Sequence, residues 1–172
     1  MDGSIQVYYG NGRGKTTAAL GLGIRAAGVG KQVIMVQFRK KKHSDTLDFL
    51  KKLEPELQIF RFEKAACGYS DLSPKEKQEQ MLNIKNALGY SRKVLDTGQC
   101  DLLILDEIFG LVDYNIITIE ELMDLIAVKK DSMDLILTGR NLPDEVREIA
   151  DCVYSIQREK EKTPEILAQG NF

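Results

Sequence analysis

The chain has 172 residues, 43% of them hydrophobic and 29% charged, which suits one compact domain over residues 1–172 with ample apolar material for a single core. Lys and Arg total 24 against 26 Asp and Glu, for a net charge of -2, and that balance lacks the basic excess usual in nucleic-acid-binding domains. No apolar run approaches the roughly 18 residues needed to cross a bilayer, and Met1-Asp2-Gly3-Ser4 has neither the basic nor the apolar region of a signal peptide, so the expectation is a cytoplasmic protein whose partners are neither nucleic acid nor membrane.

In chain order, Ile5 to Tyr9 is apolar and rich in strand formers and reads as a buried strand. A glycine-rich loop follows at once, and Thr16 to Ala27 carries a good helix-forming set that Gly28-Val29-Gly30 stops. Val33 to Phe38 is a second strand, apolar throughout, as strands are when helices cover both faces of a parallel sheet. The run Arg39-Lys40-Lys41-Lys42 reads as a solvated loop and His43 as a surface residue. Leu57 to Phe62 is a short third strand. Ser73-Pro74-Lys75-Glu76 has the capping serine, early proline and third-position glutamate of a helix start, and that helix is expected to run to about Leu95. Leu102 to Leu105 is a fourth strand ending in Asp106-Glu107. Thr118 to Glu121 opens another helix with a capping-box pattern, Leu135 to Thr138 is a fifth strand, Pro143 to Ala150 a short helix and Cys152 to Ile156 a last strand. Strands alternating with helices imply an α/β fold whose mostly parallel sheet of about six strands is covered by helices on both faces. The three cysteines, Cys67, Cys100 and Cys152, are scattered and read as reduced thiols.

The loop Gly10-Asn11-Gly12-Arg13-Gly14-Lys15-Thr16-Thr17 is the strongest chemical signal. Glycines let backbone N–H groups approach phosphates, and the helix that follows presents its positive end to an anion. Lys15 supplies a point charge for a terminal phosphate, and the Thr16 hydroxyl suits Mg²⁺. The usual pattern, Gly-x-x-x-x-Gly-Lys-Ser/Thr, would need glycine at Tyr9; here the first glycine is Gly10 and the loop is one residue shorter. Asp106 and Glu107 end an apolar strand, where ligands of open α/β sheets collect: Asp106 is a candidate for holding Mg²⁺ through water, Glu107 for touching substrate or serving as a base. Thr138-Gly139-Arg140 ends the next strand in the same way, with Arg140 a candidate phosphate contact.

Together the segments GNGRGKTTAALGLGIRAAGVGKQV, VQF, LILDEI, LTGRNLP and EIADCV resemble the ATP:corrinoid adenosyltransferases, the P-loop (RecA-like) family acting on cob(I)yrinic acid a,c-diamide and cob(I)alamin. The likeness spans nearly the whole chain, and the shortened loop is its most specific part. It implies transfer of the 5′-deoxyadenosyl group of ATP to the cobalt(I) of a corrinoid, with triphosphate leaving, in cobalamin synthesis or salvage. Cobalt(I) would be the nucleophile, leaving positioning and charge stabilisation to the protein. By position, Gly10 to Thr16 with Thr17 would bind the phosphates, Thr16 and Asp106 the Mg²⁺, and Asn11, Arg25 and Arg140 would lie near the nucleotide, with Lys15 and Glu107 in catalytic roles. Where the family has a Gly-Phe-Thr-Trp segment at the corrin, this chain has Gly68-Tyr69-Ser70-Asp71, so Tyr69 keeps one ring and Asp71 replaces the tryptophan; the chain has no Trp. The resemblance also implies a reductase supplying electrons and a homodimer. A P-loop phosphotransferase or ATPase and a non-catalytic nucleotide sensor are the competing readings.

Overall fold

The computed structural model describes residues 2–38, 50–62 and 73–160. The readings placed on Arg39 to Lys42, His43, Cys67, Tyr69 and Asp71 fall outside these residues. The elements are β1 (Ile5–Tyr9), α1 (Lys15–Ala27), β2 (Val33–Gln37), β3 (Leu57–Arg61), α2 (Pro74–Thr97), β4 (Leu102–Asp106), α3 (Phe109–Asp113), α4 (Ile119–Ala127), β5 (Asp134–Gly139), α5 (Asp144–Ile149) and β6 (Cys152–Ser155), with a 3-10 turn at Lys51–Leu53.

All six strands lie in one sheet in the order β3-β2-β4-β5-β1-β6, and every pairing is parallel. Side chains alternate across a strand, and here both faces are apolar. Val33, Met35, Leu102, Ile104 and Ile136 pack with Ala19 of α1. Their neighbours Ile34, Val36, Leu103, Leu105, Leu135 and Leu137 pack with Ile84, Val94 and Leu95 of α2 and with Leu122, Leu125 and Ile126 of α4. That double burial is why the central strands are unbroken apolar runs.

The helices α2 and α4 start as their sequences direct. The Ser73 hydroxyl accepts from the N–H of Glu76 at 3.3 Å while Ser73 N–H donates to the Glu76 carboxylate at 2.8 Å. Thr118 and Glu121 repeat the exchange at 3.2 and 2.8 Å. Such a cap contributes about 1 kcal/mol. α2 runs to Thr97, a little beyond the Leu95 expected, and closes on Gly98 in the left-handed conformation at φ 69°. Cys100 and Cys152 are free thiols, and burial pushes the Cys100 thiol up to about 12, which makes it an inert packing group. No helix among the described residues is long and apolar enough to cross a membrane.

Candidate functional site

The carboxyl ends of β1, β4 and β5 meet the start of α1, and this junction gathers most of the residues singled out in the sequence. Tyr9 belongs to β1, paired with Gly139 of β5 and Ser155 of β6, and its ring lies 5.3 Å under the Arg147 guanidinium. The loop can therefore start only at Gly10, which accounts for its short length. Gly10 has φ 122°, and a Cβ there would run into the Ile156 carbonyl; both facts demand glycine.

The loop's backbone donors divide into two sets. Gly10 N–H donates to the carbonyls of Gly139 at 3.2 Å and Arg140 at 3.0 Å, and Gly12 N–H to Ile156 at 2.9 Å. The Asn11 side-chain oxygen accepts from Arg158 N–H at 3.0 Å. These groups anchor the loop to β5 and to the strap that leaves β6. The other set is the amides at the start of α1, where Gly14 (φ 109°) is the cap residue and no side chain caps the helix. The first four N–H groups of a helix have no intrahelical partner and carry the positive end of its dipole. Arg13 and Thr17 are exposed beside them. The Lys15 ammonium donates to the carbonyls of Gly10 at 2.8 Å and Gly12 at 2.9 Å, which holds its charge over the loop.

Behind the loop lies a buried carboxylate. Asp106 is 0% exposed and accepts from the hydroxyl of Thr16 at 2.9 and 3.2 Å, the hydroxyl of Thr138 at 2.8 Å and the side-chain amide of Gln37 at 2.8 Å. Thr138 Oγ1 in turn accepts from Glu107 N–H at 2.8 Å. Glu107 is half-buried, with φ 62°, a left-handed conformation uncommon for a residue with a side chain. Arg61 Nε donates to Gln37 Oε1 at 2.6 Å. Burial pushes the Arg61 guanidinium below its ordinary value, and the Asp106 carboxylate opposes that shift.

Thr16 and Asp106 fit a hard divalent cation. Their donors are all oxygen, one hydroxyl and one carboxylate in contact, next to the amides that would face phosphate. Mg²⁺ is held in this way, by few protein oxygens together with substrate phosphates. No cluster of three or more His, Cys, Asp or Glu capable of caging a metal occurs among the described residues.

Two predicted residues stand apart from this centre. Arg25 lies in the last turn of α1, about 15 Å along the axis from Lys15 at the usual helical rise. Arg140 has an exposed side chain, and its link to the loop is through its carbonyl. Conversely, Gln37, Arg61, Thr138 and the Ile156–Arg158 strap were not read as site components. The available signal for Gln37, Arg61 and Thr138 was only a polar residue near the carboxyl end of a strand, at the sheet edge where ligands gather.

Comparison with known proteins adds a second line. The family model for ATP:corrinoid adenosyltransferase BtuR/CobO/CobP matches residues 1–169. The chain is 30% identical over 155 residues to the corrinoid adenosyltransferase of Escherichia coli K12, covering 90% of this chain and 76% of that one. The same figures hold for corrinoid adenosyltransferase CobA of Salmonella typhimurium LT2. Among solved structures, a KaiC-like protein of Pyrococcus horikoshii OT3 superposes with a TM-score of 0.62 at 20% identity, covering 94% of this chain and 75% of that chain. The flagellar accessory protein FlaH of Methanocaldococcus jannaschii gives 0.58 at 18%, covering 90% and 71%. These two likenesses concern the fold, which is the RecA-like P-loop architecture.

Proposed function

The chain belongs to the ATP:corrinoid adenosyltransferase family, and from that premise we propose how its residues carry the reaction. The activity is transfer of the 5′-deoxyadenosyl group of ATP to a corrinoid. A Co–C5′ bond forms with the electron pair of cobalt(I), the C5′–O bond breaks, and that bonding pair leaves on the triphosphate. No protein nucleophile is required. The protein's work is to hold C5′ open to cobalt and to stabilise charge gathering on the leaving triphosphate.

The observation that carries the assignment of roles is the contact between Thr16 and the buried Asp106 beside the open end of α1. In this reading Gly14, Lys15, Thr16 and Thr17 bind triphosphate through the helix end, and the Lys15 ammonium leaves the loop carbonyls for a phosphate oxygen. Thr16 and Asp106 would hold Mg²⁺, which would supply charge neutralisation to the phosphates. Glu107 faces the substrate. Gly10, Gly12 and Asn11 shape the loop rather than touch phosphate, and Arg13 and Arg140 border it. Arg25 and Tyr69 are assigned to the nucleotide and corrin sides by family position. The corrinoid is cob(I)alamin or cob(I)yrinic acid a,c-diamide, the setting cytoplasmic, the electron source a reductase and the assembly a homodimer.

The decisive experiment mixes the protein with MgATP and chemically reduced cob(I)alamin without oxygen and follows corrinoid absorbance and phosphate products. Conversion to the adenosylated spectrum with intact triphosphate is expected; ADP and phosphate without that conversion would overturn the reading in favour of phosphoryl transfer. Lys15→Ala is expected to slow adenosyl transfer by about 10²–10³-fold, the usual cost of one preorganised charge-stabilising donor, with an unchanged melting temperature. An unaffected rate would remove Lys15 from the site.

A further inference from the structure

The sheet places a row of polar side chains across its carboxyl edge that the loop motif does not account for. Gln37 is opposite Arg61 on one side and Asp106 on the other in strand register. Its amide is used at both ends: Nε2 donates to Asp106 at 2.8 Å, and Oε1 accepts from Arg61 at 2.6 Å. Gln37 is 3% exposed, and each of its neighbours in β2 is apolar and buried. A buried carboxylate and a buried amide are costly in a core unless they are hydrogen-bonded. An apolar residue at position 37 would complete β2, so the amide has to be explained by what it holds.

We propose that Gln37 and Arg61 are positioning residues for the cation that accompanies ATP. Arg61 fixes the Gln37 amide with its oxygen outward along the row and its nitrogen toward Asp106. That orientation occupies one carboxylate oxygen from the side away from the loop. Thr138 occupies the other oxygen from the β5 side. Both oxygens also accept from the Thr16 hydroxyl in the first turn of α1, so the carboxylate is held against that hydroxyl. Outer partners of this kind set the orientation of metal ligands, and their loss typically weakens metal binding by about 10–100-fold. The inference rests on the reading that Thr16 and Asp106 serve Mg²⁺, and it adds residues from β2 and β3, remote in sequence from both.

The test measures ATP binding to the full chain by calorimetry over a range of Mg²⁺ concentrations and again in chelator, for the native protein, Gln37→Leu and Arg61→Met. Positioning predicts that the variants need about 10–100-fold more Mg²⁺ for half-maximal ATP binding, that affinity in chelator is unchanged, and that excess Mg²⁺ restores adenosyl transfer. A variant that loses affinity equally with and without Mg²⁺, or that binds as the native protein does, overturns the proposal. If Gln37→Leu fails to fold, Arg61→Met at the half-buried end of the row decides by the same criteria. If the native protein binds ATP alike with and without Mg²⁺, the cation reading of Thr16 and Asp106 falls and the relay with it; that outcome is visible in the native control alone.

Discussion

Glu107 couples conformation to chemistry at a single residue. Its φ of 62° costs on the order of 1–3 kcal/mol for a residue with a Cβ, and strain of that size persists only where the surroundings enforce it. The Thr138 hydroxyl does so by accepting from the Glu107 N–H, directly after the buried Asp106. Glu107→Gly relieves the strain and removes the carboxylate, so the variant is expected to melt no lower than the native protein while transferring adenosyl more slowly. A lower melting temperature with full activity would mean that the side chain serves stability instead. The sequence offered Asp106 and Glu107 as a pair at a strand end with separate roles, but not the geometry that separates them. One carboxylate is buried under donors from β2, β5 and α1, while the other is turned out of the strand by a backbone angle that no local pattern announces. Gln37 and Arg61 were equally hidden. Each is an ordinary polar residue in its own strand, and only the register makes them neighbours.

Helices, strands and loops show the same contrast between local and non-local information. The capping boxes at Ser73 and Thr118 were readable because every atom in them lies within four consecutive residues. The helix α3 was not anticipated. It has only five residues, and Ile108 precedes it without a side-chain cap; it is held by the burial of Phe109 and Leu111. That burial gives Gly139 a role besides its place in Thr138-Gly139-Arg140. A Cβ on Gly139 would lie 2.5 Å from Phe109 Cβ and 2.8 Å from its ring. Phe109 is wholly buried and has nowhere to retreat. Gly139→Ala is therefore expected to destabilise the protein by about 1–3 kcal/mol, the usual cost of overpacking, measured by denaturant unfolding. If stability is unchanged, α3 is looser than its packing indicates and Gly139 is kept for the loop alone.

At the scale of the whole molecule, the parallel sheet with helices on both faces was legible because double burial writes itself into apolar strands. The strand order was not, since β1 sits between β5 and β6, elements more than 120 residues further along. The loop motif is thus complete in the first seventeen residues, while its scaffold arrives much later: Gly10 is held by Gly139 and Arg140, and Gly12 by Ile156. A fragment of residues 1–155 keeps every residue of the motif and all of β6 but lacks the strap, and equilibrium dialysis is expected to find no ATP bound to it. Binding equal to that of the intact chain would make the strap dispensable. During translation, at about 5–20 residues per second, the nascent chain would carry its nucleotide signature well before it could use it. The catalyst would become competent only once Ile156 and Arg158 are in place to brace Gly12 and Asn11, so that a shorter nascent copy sequesters no ATP.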